Sequence, residues 1–352
     1  MRVLVLLCAV AGIALASESS FNEFAKTFNK KYASTDEYVK RKEIFMTNYK
    51  LMQKHNQEYE EGKVSWWKKV TEYYDMTHEE WMNHMKLGMP PMDELNMINT
   101  VDEAMEAKIA ERSAPDSWNW KDQGAVTSIK DQKQCGSCAA FAAVAATDSC
   151  MWMASNSLFD DLSEQHLMDC ANGHFFFDNE GAWGAFGCDG GSPQAYYDWV
   201  INQNGGRLEK EDCDPYQGKD KECVDDDSCN YMGAHITGFW NKWYTTEDEM
   251  KELVFQAPVA TNVYAKYFGD YGGGVYDDSR CCEADSDPNC IWTLNHEITV
   301  VGYGHESGKD YWLVKNSWGG GFGDNGYIKI KRGTGHCGIG RQHIIQPKCA
   351  IN

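Results

Sequence analysis

The spacing of apolar positions changes twice along this chain, and each change marks a segment of different architecture. An apolar run from Val3 to Val10 follows Arg2 and closes on Ala14-Leu15-Ala16. That is the layout of a secretory leader with an A-x-A cleavage pattern over residues 1–16, and the run falls short of the roughly 20 residues a bilayer span needs. From Phe21 to about Leu87 apolar residues recur at helical spacing with no proline before Pro90, which predicts a helical segment. Glu37, Arg41, Phe45, Asn48, Met52 and Asn56 follow one another at intervals of four or three residues and so share one helix face. Such a face is, by itself, an ordinary packing surface.

Beyond Pro90-Pro91 the chain becomes a polar, acidic connector with no core pattern of its own, ending near Glu111-Arg112-Ser113-Ala114-Pro115, where a processing junction is expected. A Gly/Ala-rich run from about Gly136 to Ala154 then predicts a buried helix, because small side chains let neighbouring elements approach closely. In the last third, Ile298 to Gly304, Tyr311 to Lys315 and Tyr327 to Lys331 are short β-type runs punctuated by glycine. The expected class is therefore α+β, a helical half followed by a β half. Gly272-Gly273-Gly274 lacks the strand-to-helix context of a phosphate loop and reads as a turn.

Charge narrows the function. Among 352 residues, 53 acidic and 33 basic side chains give a formal net charge of −20, which argues against nucleic acid or an anionic membrane as partner and suits a soluble protein of an acidic lumen. Of 14 cysteines, Cys8 lies in the leader and the other 13 all follow residue 134. If an oxidising route pairs 12 of those 13, one thiol is left over as a candidate nucleophile. A zinc site would need clustered C-x-x-C pairs with spaced histidines, and the single Cys135/Cys138 pair does not supply one.

Gln132-Lys133-Gln134-Cys135-Gly136-Ser137-Cys138 ends where the small-residue helix begins, so Cys138 meets the unpaired N–H groups and dipole of a helix start, which favour a thiolate. A thiolate needs a base and the base an orienting partner, and Asn295-His296 and Lys315-Asn316-Ser317-Trp318 offer both.

These three ordered blocks resemble the active-site blocks of the papain and cathepsin family. The resemblance implies a papain-like two-domain fold, a helical left domain at about 125–225 and a β-barrel-like right domain at about 226–340, within a peptidase domain spanning 113–352. It implies Cys138 as nucleophile, His296 as base and later acid, Asn316 as the residue orienting His296, and Gln132 as an oxyanion-hole donor. It further implies that Gly190 and Gly191 offer backbone contacts to substrate and that Ser192, Pro193, Asn262, Leu294, Glu297 and Gln342 line the S2 pocket, with Trp318 beside the cleft. Disulfides Cys135–Cys188, Cys170–Cys223 and Cys281–Cys337 follow by correspondence, while Cys150, Cys213, Cys229, Cys282, Cys290 and Cys349 remain unassigned. The stripe from Glu37 to Asn56 resembles the family's pro-segment signature, which makes residues 17–112 an inhibitory pro-segment.

The implied activity is a cysteine endopeptidase zymogen that hydrolyses peptide bonds through a thioester and requires no metal or cofactor. Its partners would be protein or peptide substrates and its own pro-segment, in a monomer with no membrane anchor, in the secretory pathway, a digestive lumen or a lysosome. Departures from the family pattern keep rivals in view. Ala139 stands where an aromatic residue is usual, Lys133 where glycine is, and Phe322 where tryptophan is common. A non-catalytic homologue acting as a binding protein is one rival, and a free inhibitor released from the pro-segment is another. Glu297 either admits a basic or polar P2 side chain or turns away into a salt bridge. The aromatic stretch with Phe175, Phe176, Phe177 and Trp183 either meets substrate or packs as a flap.

Overall fold

The computed structural model describes residues 19–87, 103–155, 161–178, 181–224, 226–229 and 233–351. The expected leader and the first part of the connector after Pro90 lie outside the described residues, as do the side chains of Phe177 and Trp183. The first segment contains α1 (19–27), α2 (Thr35–Glu60), β1 (Trp66–Lys68), α3 (His78–His84) and α4 (Glu103–Glu111). A helical half follows with β2 (Trp118–Asn119), α5 (Cys138–Ser155), α6 (Glu164–Cys170), the hairpin β3 (Phe175–Asp178) and β4 (Gly181–Gly184), and α7 (Pro193–Gln203). The β half holds β5 (Ala234–Lys242), α8 (Glu247–Gln256), β6 (Val259–Val263), β7 (Tyr271–Tyr276), β8 (His296–Glu306), β9 (Lys309–Lys315), β10 (Tyr327–Lys331) and β11 (Ile344–Ile351).

Ser34 starts α2 by accepting the Glu37 N–H at 3.1 Å. The shared face then divides its work between packing and polar grip. Phe45 is 1% exposed within an aromatic cluster that includes Phe21, Phe24, Tyr49 and Tyr74. Arg41 donates to Glu80 at 2.7 Å and to the Asp75 carbonyl at 3.0 Å. Asn48 donates to the carbonyls of Tyr74 and Met76, and Asn56 exchanges two bonds with the Lys68 backbone. The long helix thereby holds the returning chain that carries β1 and α3.

That segment is not wholly helical. β1 pairs antiparallel with β7, so the first segment extends the sheet of the β half. The reason lies in the three glycines read above as a turn, which instead lie inside β7. A Cβ at Gly272 would sit 2.3 Å from the Trp67 indole, and one at Gly274 would sit 2.4 Å from the Ser65 carbonyl. Missing side chains let the foreign strand approach, and the sequence pattern of β7 is lost with them. The connector also gains structure: Met105 and Ile109, four apart, turn α4 onto the β-half core, and Glu252 accepts the N–H groups of Ser113 and Ala114.

Across the main sheet the strand order is β1-β7-β10-β9-β8-β6-β11-β5, with β2 pairing β8. β11 runs to Ile351 and pairs β5, so the β half extends past the expected boundary near residue 340. Among the described residues, α5 alone is long and apolar enough to cross a membrane, and most of it is buried in protein. Its alanines admit close neighbours: Tyr197 of α7 donates to the Ala143 carbonyl at 2.8 Å, and Thr299 of β8 bonds the Ala142 carbonyl. Between the halves lies a polar seam in which Lys130 meets Glu164 at 2.8 Å and Thr127 bridges Lys315 to Asp148. Phe176 of the aromatic hairpin packs on Phe239 of β5, which makes the hairpin a packed flap.

Candidate active site

Cys138 is the first residue of α5 and the only unpaired cysteine among the described residues. The other twelve form six disulfides: Cys135–Cys188, Cys170–Cys223 and Cys281–Cys337, together with Cys150–Cys349, Cys213–Cys229 and Cys282–Cys290. The Cys135 bridge ties the loop before α5 to the turn Gly187–Asp189, and Gly136 allows it, since a Cβ there would lie 2.6 Å from the Cys188 carbonyl.

His296 opens β8 and is fully buried, and the next residue, Glu297, turns its N–H to the Cys138 sulfur. His296 Nε2 lies 2.7 Å from Asn316 Oδ1, and the Ser317 N–H donates to the same oxygen at 2.8 Å. That backbone N–H identifies the atom as the carbonyl oxygen, so Nε2 must be the donor and Nδ1 carries the free lone pair. Nδ1 has no hydrogen-bond partner among the described residues. The Trp318 ring lies 4.6 Å from the imidazole and shields the bond to Asn316 from water. Burial pushes the Cys138 thiol up to about 12, although the N–H groups of Glu297, Ala139 and Cys138 itself favour its thiolate. Burial likewise lowers His296 to about 4, against the bond to Asn316. A lone charge is thus disfavoured on either group, while proton transfer between them would create two charges that stabilise one another.

Gln132 is 1% exposed and held from both ends. The Cys135 carbonyl accepts one hydrogen of Gln132 Nε2 at 2.9 Å, which fixes that atom as the amide nitrogen, and Ser317 Oγ donates to Oε1 at 2.6 Å. Tyr216 braces the loop by donating to the Gln132 carbonyl at 2.8 Å and meeting Ser137 Oγ at 2.7 Å. Lys133 has a φ of 54°, the left-handed region that glycine tolerates best, and its ammonium sits over the Tyr216 ring. Lys133→Gly should therefore change stability by no more than about 1 kcal/mol, with catalysis retained; chemical denaturation would check it, and a loss beyond about 2 kcal/mol would show that the lysine is a structural anchor. Ala139 is 1% exposed and packs in the helical-half core.

The expected substrate-lining residues are buried. Ser192 caps α7 by accepting the Ala195 N–H and Pro193 is the first residue of that helix, while Asn262 donates to the Gln342 side chain. Leu294 is 7% exposed, against the backbone of Gly338. Gly190 and Gly191 lie beside the Cys188 turn, Gly190 with a φ of 107°. For Glu297 the structure supports the salt-bridged reading: its carboxylate is 2.9 Å from His343 Nε2, and both side chains are buried. Of the two readings of Glu297, the carboxylate takes the one that turns it to His343 rather than to solvent. His343 had no sequence motif to mark it. Trp81 of α3 meets Trp318 edge-on at 5.8 Å, so the pro-segment rests on the ring that covers His296.

A half-buried thiol at a helix start, together with a buried histidine that an asparagine orients at the start of the neighbouring strand, defines a thiol hydrolase. The chain belongs to the papain family of cysteine proteases: residues 114–346 match the papain family cysteine protease model, and residues 21–81 match the cathepsin propeptide inhibitor domain. It is 31% identical to a cathepsin L-like proteinase of Phaedon cochleariae, covering 96% of this chain and 97% of that protein. It is 35% identical to cathepsin S of Bos taurus, over 89% of this chain and 88% of that one. Among solved structures, digestive procathepsin L 3 from the larval midgut of Tenebrio molitor superposes with a TM-score of 0.75 at 29% identity, covering 94% of this chain and 99% of that chain. The protein is a cysteine endopeptidase precursor with a pro-segment of the inhibitory kind.

Proposed function

We propose that this protein is a secretory-pathway zymogen, with a leader at 1–16, a pro-segment at 17–112 and a monomeric peptidase at 113–352, that cleaves peptide bonds through a thioester on Cys138. The observation that carries the mechanism is the fixed tautomer of His296, whose unpartnered nitrogen remains for the one free thiol among the described residues. Cys138 passes its proton to His296 Nδ1 and its sulfur attacks the scissile carbonyl carbon. The oxyanion is held by the Cys138 N–H and the second hydrogen of the Gln132 amide. His296 returns the proton to the leaving amine as the C–N bond breaks. A water, deprotonated by His296, then opens the thioester and regenerates the thiol. Gly190 and Gly191 would bind the substrate backbone. Ser192, Pro193, Asn262, Leu294 and Gln342 would set P2 selection, and the Asn262–Gln342 bond favours small or polar P2 groups over large apolar ones.

The test is acid activation of the precursor followed by labelling with a thiol-directed epoxide and peptide mapping. Labelling confined to Cys138 with parallel loss of hydrolysis supports the mechanism. A folded domain that neither labels nor hydrolyses returns the non-catalytic reading.

Activation should be driven by acid, with histidines titrating first. Burial holds His55, His78 and His84 below the ordinary 6.5, helped by Lys68 beside His55, Lys266 and Arg280 beside His78, and Lys30 beside His84. The docked state then binds fewer protons than the released one, so docking is strongest above pH 6.5 and weakens as pH falls below it. For Glu80, burial opposes charge, but the Thr77 N–H, Arg41 and Lys40 prevail and hold the carboxyl down to about 2, so its contribution fades only below pH 4.5. His78→Phe, which keeps a ring on Tyr267 5.1 Å away, should shift the onset of processing to lower pH. Equal processing rates at pH 7 and pH 4.5 in the unaltered precursor would rule this trigger out.

A further inference from the structure

The Glu297–His343 pair lies directly behind the nucleophile, and the roles assigned so far to Cys138, His296, Asn316 and Gln132 do not use it. Strand register explains why the two meet. Asn262 of β6 faces Glu297 of β8, and Thr261 of β6 faces Ile344 of β11, so Glu297, Asn262 and His343 fall in one row across three strands. Thr261 Oγ1 donates to the His343 carbonyl at 2.5 Å, and the Trp243 ring stands edge-on to the imidazole at 5.5 Å, which fixes the histidine from two sides. Glu297 follows His296 in the chain, and its own N–H reaches the Cys138 sulfur. A carboxylate therefore sits fully buried within one residue of the catalytic pair, 2.9 Å from an equally buried imidazole.

We propose that His343 is a positioning residue for catalysis: as an imidazolium it holds and neutralises the Glu297 carboxylate, so that a thiolate can form on Cys138 beside it. The inference rests on the roles given above to Cys138 and His296. Four groups share the buried region, and with Cys138 as thiolate, His296 and His343 as cations and Glu297 as anion their charges cancel. Removing His343 leaves one uncompensated buried anion, and the attack-ready state adds a second beside it. The same field already acts on the resting enzyme, where the Glu297 charge is among the influences that raise the thiol. Tyr196 of α7 and Tyr216 are the other titratable side chains whose charge would act on the sulfur, and burial keeps both phenols neutral.

The test reads the rate of Cys138 alkylation by iodoacetamide against pH in the acid-activated enzyme, comparing wild type, His343→Gln and the double variant Glu297→Gln/His343→Gln. His343→Gln should move the acid limb of the profile up by about one pH unit, making alkylation about tenfold slower below its midpoint. The double variant, which removes both charges, should restore it. Thermal unfolding of each variant separates this effect from a loss of packing. If the double variant is as slow as the single one, or the limb does not move, the proposal is overturned. Should His343→Gln fail to fold, imidazole NMR of the wild-type enzyme decides: protons on both His343 ring nitrogens at pH 6 support the proposal, and a neutral ring overturns it. A wild-type enzyme that does not alkylate at Cys138 would instead overturn the thioester mechanism.

Discussion

Cys138→Ser should lower peptide hydrolysis by about 10⁴-fold or more while leaving the fold intact. Sulfur and hydroxyl occupy similar space, and the side chain makes no disulfide, so stability has little reason to change. Chemistry has every reason to. A thiol can transfer its proton to His296 before attack, whereas an alcohol must lose a far more tightly held proton during it, at a site built to stabilise a preformed ion pair. Because the variant cannot process itself, it must be converted with a trace of active enzyme before assay, and circular dichroism must confirm the fold. Activity within tenfold of wild type would place the nucleophile elsewhere. Asn316→Ala should cost less than His296→Ala, since it frees the imidazole to rotate and change tautomer but leaves it present.

Trp81→Ala should release the enzyme from its pro-segment at neutral pH. Trp81 is 6% exposed, packs edge-on to Trp318, and lies against Gly269, where a Cβ would be 2.7 Å from the indole. Truncating a buried indole costs about 3–5 kcal/mol, which weakens docking by some 10²- to nearly 10⁴-fold. The rest of the interface, β1 on β7 and Lys68 against Asp270 at 2.8 Å, should keep the first segment loosely attached. Epoxide labelling of Cys138 in the full-length precursor at pH 7 measures the effect directly. If Trp81→Ala labels no faster than wild type, α3 is not the anchor of inhibition. Replacing exposed Glu79 on the same helix provides the comparison, with no change expected.

Features written in consecutive residues could be read without coordinates, because their physics is local. Steps of three and four along α2 are a property of helix geometry, so the Glu37-to-Asn56 face was visible in the chain. Small residues across α5, the position of Cys138 at its start and the odd cysteine count were equally legible. Contacts that join distant segments were not. Three glycines in β7 looked like a turn because their purpose is to admit Trp66 and Trp67, more than 200 residues away in the chain. α4 is short, and the polar connector around it hid the pair Met105 and Ile109 that docks it on the β-half core. Glu297 presented two fates in sequence, a substrate contact or a salt bridge, and only the row across β8, β6 and β11 chose His343. Burial then set the charges of Cys138 and His296, because desolvation depends on everything packed around a group and on nothing in its immediate sequence.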